Sequence, residues 1–332
     1  MQNVSIVSAL RTPVGSLGKT LKNVNAEDLG SAVIVENLKK LSLSKNEVDE
    51  VILGQVLTGG SGQNPARQAA IRSGISKETP AFIVNQVCGS GLRSVVSGYQ
   101  SIKSDDTKII IAGGQENMSL APHAIHLRDG KKLGDVELID TMIKDGLWDA
   151  FHGYHMGVTA ENVAEKFQIT RDQQDKFALK SHEKALNAQK QNKFDKEIVN
   201  YKIKSKNADI DFTTDEHPRE GINLDALSRL KPVFKDNGTV TAGNASGIND
   251  GAAAVVLMSS LETEKKEIEK LVSIKSWASC GVDPALMGTG PIPSSKKALE
   301  IAGWNINDVD LFEINEAFAA QSLAVIKTLS IP

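Results

Sequence analysis

Short apolar runs rich in β-branched residues alternate along the chain with segments whose apolar positions recur at helical spacing. Residues 4–9, 50–56, 81–87 and 108–113 read as strands. Over 26–41, Leu29, Val33, Leu38 and Leu41 fall roughly on one helical face, and after position 88 Leu92, Val95, Val96, Tyr99 and Ile102 do the same. A further helix is predicted over 65–71, and an apolar strand over 252–258. Strands alternating with helices predict an α/β fold, with a mostly parallel sheet covered on both faces.

A weak repeat overlies this pattern. Residues 38–56 contain Asn46-Glu47-Val48-Asp49 before a strand, and residues 299–317 contain Asn307-Asp308-Val309-Asp310 before a strand predicted over 311–314. Either a domain has been duplicated, or two α/β units share the same turn and capping residues. Between the two copies, roughly 119–241, the texture turns polar, rich in Lys, Asp, Asn and Gln, and this stretch carries all six histidines. It reads as a long insertion with helices over 161–167 and 172–191, the second opening after Thr170 as N-cap.

The bulk numbers narrow the function. A chain of 332 residues implies two or three domains. With 40% hydrophobic and 24% charged residues it has an ordinary globular composition. A net charge of −3 with scattered Lys and Arg gives no nucleic-acid footprint. No apolar run is long enough to span a bilayer, and the first residues lack the basic-then-apolar order of an export signal. Two distant cysteines are too few for a disulfide framework or a structural zinc site, and fit a reducing compartment. A cytoplasmic enzyme is the expectation.

The strongest local signal runs from 81 to 92. A strand ends, Cys88 follows, and Gly89-Ser90-Gly91 opens an amphipathic helix. This is a nucleophile elbow with cysteine in place of serine. A helix N-terminus carries partial positive charge and free N–H groups, both of which favour a thiolate. The glycines let a substrate approach the backbone, whose N–H groups can hold an oxyanion. A buried core cysteine beside a turn is the plainer account. The loop Gly59-Gly60-Ser61-Gly62 lacks the Lys and Ser/Thr of a phosphate-binding loop and is read as a connection.

Asn85-Gln86-Val87-Cys88-Gly89-Ser90-Gly91 resembles the nucleophile motif of the thiolase family. Further segments resemble that family in the same order: Arg11-Thr12-Pro13-Val14-Gly15, Gly62-Gln63-Asn64-Pro65-Ala66-Arg67-Gln68, Gly113-Gly114-Gln115-Glu116-Asn117-Met118-Ser119, Gly153-Tyr154-His155-Met156-Gly157, Gly243-Asn244-Ala245-Ser246-Gly247, Gly288-Thr289-Gly290-Pro291 and Asn315-Glu316-Ala317-Phe318. The resemblance covers essentially the whole chain. It implies duplicated mixed α/β halves in a layered arrangement with an inserted loop domain. The halves would be 1–118 plus 242–268 and, incomplete, 269–332, with the insertion at 119–241. It implies acyltransfer by ping-pong covalent catalysis, joining two acetyl-CoA into acetoacetyl-CoA and CoA, or the reverse thiolysis. No cofactor or metal is implied, since the CoA thioesters are substrates.

The same resemblance assigns roles. Cys88 would carry the acyl group. Asn315 would hold a water in an oxyanion hole for the thioester enolate, although an Asn there could equally cap its helix. Ser246 would lie along the pantetheine arm of CoA, in a slot lined by Phe234, Phe318 and Met156; as residues alone these read as a loop hydroxyl and ordinary core. Arg219 is a candidate for the nucleotide end of CoA. His155, Met156, Leu147 and Met287 resemble the acyl pocket of the short-chain, biosynthetic type, and 126–144 resembles the loop by which that type forms a homotetramer, a dimer of dimers. No nucleic-acid or membrane partner is implied.

One departure stands out. The family's Gly-His-Pro and Cys-x-Gly motifs, which supply the histidine that activates the nucleophile and a second catalytic cysteine, follow the Asn motif; here no histidine follows His217, and Cys280 precedes Asn315. Cys280 is read as structural. The expectation is thus an enzyme of this family whose 332 residues lack those two groups, with a truncated, non-catalytic CoA-binding or oligomeric scaffold as the alternative. A decarboxylating ketoacyl synthase of similar architecture fits less well, because it needs paired histidines after the nucleophile.

Overall fold

The structure is a computed structural model that describes residues 3–204 and 208–331. The chain forms two compact units. One comprises Met1–Gly146, Asn192–His217 and Ile248–Ile274, the other Leu147–Gln191, Pro218–Gly247 and Lys275–Pro332. The polar stretch 119–241 is therefore shared between the units, with 119–146 and 192–217 in the first.

The first unit is built on a mixed sheet, seven-stranded among the described residues. Its order is Val272–Ser273, Val4–Arg11, Asn249–Ser259, Ile109–Asn117, Glu50–Gly54, Ala81–Val84, with the short Gly15–Ser16 beside Asn249–Ser259. The expectation of a mostly parallel sheet is corrected. Glu50–Gly54 runs parallel to both neighbours, but Asn249–Ser259 pairs antiparallel on both sides. The three strands of the parallel part are linked by helices, which is what parallel neighbours require; Asn249–Ser259 returns only after a long excursion through the second unit.

Both faces of this sheet are covered, and the period-2 alternation shows it. Val51, Leu53, Ile109, Ile111, Val256 and Met258 join Leu29, Val33 and Ile34 of helix Ala26–Lys40 and Ala66, Ala69 and Ala70 of helix Pro65–Arg72 in one core. Ile52, Ile110, Ala112 and Leu257 pack on the other face with Ile102, Val95 and Tyr99 of helix Ser90–Lys103. Two of the family-like motifs brace this unit. Arg11 grips Asp215 through both terminal nitrogens at 2.7 and 3.0 Å and Glu197 at 2.7 Å. Glu116 accepts the N–H groups of Val56 and Leu57, and burial raises its carboxyl above the usual range.

The second unit rests on helices Met156–Phe167, Arg171–Lys190, Pro291–Ala302 and Ala319–Leu329. Val163, Ile169 and Ala324 form one small core with Phe167, Leu286 and Leu323; Ile292, Val325 and Leu329 form another with Ile306 and Ile314. Thr170 caps Arg171–Lys190 in a full capping box with Gln173. One expected strand does not form: 311–314 is irregular. A strand exists only where a neighbour supplies its ladder. Among the described residues this unit offers only the two-residue pair Trp148–Asp149 with Tyr154–His155 and a single bridge at Ala245 and Phe318.

Candidate active site

In the first unit the strand expected over 81–87 stops at Val84, and residues 85–89 turn into helix Ser90–Lys103. Val87, just before the nucleophile candidate, has φ +48°. For a β-branched residue this left-handed backbone is strained, so the surroundings must hold it. The Val87 N–H donates to Asn85 Oδ1 at 3.0 Å. The Ser90 hydroxyl accepts the Gln86 N–H at 2.8 Å and donates to the Val87 carbonyl at 2.6 Å. Gly54 completes the arrangement: a Cβ at this position would collide with the Ser90 and Gly91 backbone, so only glycine lets the helix start sit against the strand. One turn on, the buried Ser94 hydroxyl binds the Gly113 carbonyl at 2.7 Å.

Cys88 itself is exposed and free. Burial holds its thiol above the ordinary cysteine range, against the direction in which a helix start alone would move it. The residue reaches the surface, yet enough protein packs around it that desolvation outweighs the hydrogen bond from its own backbone N–H.

In the second unit, His155 is the N-cap of helix Met156–Phe167, its Nδ1 accepting the Gly157 N–H at 3.0 Å. That bond requires an unprotonated Nδ1, and burial also lowers the imidazole pKa. The His155 ring stacks on Phe234 with centroids 4.6 Å apart, and Phe234 meets Phe318 edge-on at 6.2 Å. A Cβ on Gly157 would overlap the Phe234 ring. The segment carrying Phe234 is tied down by Glu161, whose buried carboxylate takes the N–H groups of Thr239 and Val240 at 2.7–2.9 Å.

Residues 244–246 pair with 317–319: the Ser246 N–H donates to the Ala317 carbonyl at 3.0 Å and the Ala319 N–H to the Asn244 carbonyl at 2.9 Å. This pairing brings Ser246, which is exposed, beside Phe318. Asn244 is buried, its amide donating to Asp175 and Thr239. Met156 follows His155 directly. Leu147 precedes the strand that pairs with Tyr154–His155, and Met287 lies on the turn Pro284–Thr289, which packs against helix Met156–Phe167. Asn315 is exposed and does not cap a helix, because Phe318 is the N-cap of Ala319–Leu329. Arg219 stands apart: it is exposed, and its backbone N–H reaches His182 at 3.3 Å. Cys280 is half-buried.

Of the expected residues, then, His155, Met156, Phe234, Phe318 and Ser246 come together, with Leu147 and Met287 on adjoining elements. Sequence reasoning missed Gly54, Val87, Ser90, Gly157 and Glu161, whose parts are positional. The one available signal was Ser90 two residues after Cys88, in a turn that needs its backbone bonds satisfied.

Comparison with known proteins carries the same pattern over the chain. Residues 4–261 match the family model "Thiolase, N-terminal domain" and residues 268–332 match "Thiolase, C-terminal domain". An acetyl-CoA acetyltransferase of Rhizobium meliloti is 56% identical over 331 residues, covering 99% of this chain and 84% of the relative. A cytosolic acetyl-CoA acetyltransferase of Rattus norvegicus is 51% identical over 330 residues, covering 99% and 83%. The crystal structure of the Bacillus anthracis acetyl-CoA acetyltransferase superposes with a TM-score of 0.98 at 42% identity, over 100% of this chain and 84% of that one.

Proposed function

The chain belongs to the thiolase family, and from that premise we propose that it is an acetyl-CoA acetyltransferase that works through an acetyl-Cys88 intermediate. The observation that carries the reading is the strained, hydrogen-bonded turn that exposes a free thiol at the start of a helix. Relatives at 51–56% identity that bear this name support the choice of acetyl-CoA.

Burial raises the thiol pKa, so a base takes its proton as Sγ attacks the thioester carbonyl. The bond from the acetyl carbon to CoA sulfur then breaks, and the CoA thiolate leaves with a proton. A second acetyl-CoA loses a proton from its methyl carbon. The resulting carbanion attacks the acetyl group on Cys88, a C–C bond forms, and the bond to Sγ breaks, which frees acetoacetyl-CoA and the thiol. Asn315, exposed and not engaged as a cap, is the group we assign to the enolate oxygen through a water. Ser246, Met156, Phe234 and Phe318 line the pantetheine slot, and His155, Leu147 and Met287 bound a pocket for a short acyl group. Arg219 is assigned to the nucleotide end of CoA. The homotetramer and a cytoplasmic location belong to the same reading; no helix among the described residues is long and apolar enough to cross a membrane.

The test is direct. Incubation of the native protein with acetyl-CoA should add the mass of one acetyl group, mapping to Cys88. Cys88→Ala should remove the adduct and lower acetoacetyl-CoA thiolysis by about 10⁴-fold or more. An adduct elsewhere, or turnover that survives the substitution, would overturn the assignment.

A further inference from the structure

The turn before Cys88 holds its strained residue through a side chain the reaction does not use. Ser90 is 4% exposed, which a loop hydroxyl has no need to be. Its oxygen sits between two backbone groups on opposite sides of Val87, accepting from Gln86 N–H at 2.8 Å and donating to Val87 C=O at 2.6 Å. The Ser90 N–H donates to the same carbonyl at 3.0 Å, and the Gly89 N–H closes on the Gln86 carbonyl at 3.0 Å. Gly54 presses the Ser90 backbone from behind, since any side chain there would overlap it. The hydroxyl is thus fixed on three sides and spans the one left-handed residue of the turn.

We infer that Ser90 is a positioning residue for the nucleophile, its hydroxyl bridging Gln86 and Val87 so that the strained turn presents Cys88 in one orientation. The inference rests on the reading of Cys88 as nucleophile. A left-handed valine is strained, and the two buried hydrogen bonds of the Ser90 hydroxyl offset that strain. Without the hydroxyl the turn should relax towards ordinary backbone, and the thiol and its neighbouring N–H should move with it. Misplacement by a fraction of an ångström is enough to slow a covalent step.

Two substitutions test it together. Ser90→Ala should slow alkylation of Cys88 by iodoacetamide about tenfold and lower kcat by a similar factor, while KM for acetyl-CoA stays within about twofold. Val87→Gly, which occupies positive φ without strain, should restore both rates to within about threefold when added to Ser90→Ala, because the turn then no longer needs the clamp. Thermal unfolding of each variant identifies a fold defect. If Ser90→Ala alkylates at the wild-type rate, or if Val87→Gly restores nothing in a folded double variant, the inference falls. Alkylation reads the thiol directly, so this outcome stays separate from failure of the acetyl-Cys88 reading, which only turnover and acetyl labelling of Cys88→Ala decide.

Discussion

The two copies of the repeated pattern end differently. After Asn46-Glu47-Val48-Asp49, residues Glu50–Gly54 become a central strand, buried on both faces and paired on both sides. After Asn307-Asp308-Val309-Asp310, residues 311–314 follow a short helical turn at Ile306–Asp308 but join no sheet, and Leu311 is 89% exposed. The local signals match, and the turn forms in both. What differs is the neighbour. In the first copy Asp49 also accepts the N–H groups of Lys108 and Ile109, which pins the start of the adjacent strand. In the second copy the counterpart of Asp49 is Asp310, which is exposed, while Asp308 accepts the Asn305 N–H just as Glu47 accepts that of Ser44. A strand is therefore a property of a pair, and pattern alone predicts only the readiness to form one.

The sharpest way to break the comparison is at Gly54, where the paired strand meets the helix start that follows Cys88. Gly54→Ala has nowhere to put a methyl group, since the obstruction is backbone that cannot rotate away. The loss should be about 3 kcal/mol in urea unfolding, and turnover of the folded fraction should fall about 100-fold because the nucleophile turn is displaced. Turnover and stability near wild type would show that the contact between strand and helix start is not what places the turn.

Smaller effects sharpen the contrast between the two copies. Leu53 is fully buried and Leu311 nearly fully exposed. Leu53→Ala should cost about 3 kcal/mol by loss of transfer energy and creation of a cavity, and Leu311→Ala should stay within about 0.5 kcal/mol. Hydrogen exchange gives the matching backbone readout: amides of Glu50–Gly54 should be protected to the level of the first unit's opening free energy, and those of 311–314 should exchange fast. Equal costs at the two leucines would mean that the second copy is as well packed as the first.

How much of this was legible follows from the same distinction. Helix faces and strand positions in the first unit were readable, because periodicity reports burial and both faces of the sheet are buried. Val51, Ile52 and Leu53 could be placed in a strand from type and alternation alone. Cys88 was legible because a nucleophile followed by Gly-Ser-Gly needs a helix start. Its raised pKa was not, since desolvation depends on which atoms surround the thiol in three dimensions. The antiparallel partnership of Asn249–Ser259 was hidden by the length of chain before its return. Phe234 read equally well as core, and only stacking on His155 across a glycine 77 positions away in sequence, Gly157, distinguishes it. Gly54 carried no separate signal, because its function is to let two segments approach, and approach is not written in either segment.

The second unit holds its loops by side chains where the first holds its strands by a ladder, so the two should answer pH differently. His155 caps its helix as an acceptor and is partly desolvated, so folding holds its pKa below the ordinary value of about 6.5. The unfolded chain then binds more protons, so stability rises with pH in that window. Above about 6.5 both states are neutral and nothing is lost. As pH falls through that value the unfolded state gains a proton that the folded site resists, and stability declines until the folded value is passed. His182, lowered by burial and by Arg219, acts in the same direction, and His152 pairs with Asp149 at 2.7 Å in the neighbouring hairpin, so the variant rather than the trend isolates His155. His155→Asn keeps an N-cap acceptor and cannot titrate. Between about pH 7.5 and pH 5.5, amides of 234–246 should lose protection in the wild type and lose less in His155→Asn, after correction for intrinsic exchange, while amides of Asn249–Ser259 in the first unit stay level in both. The same loss in wild type and variant would place the pH response on other groups and remove His155 as a pH-sensitive brace of the second unit.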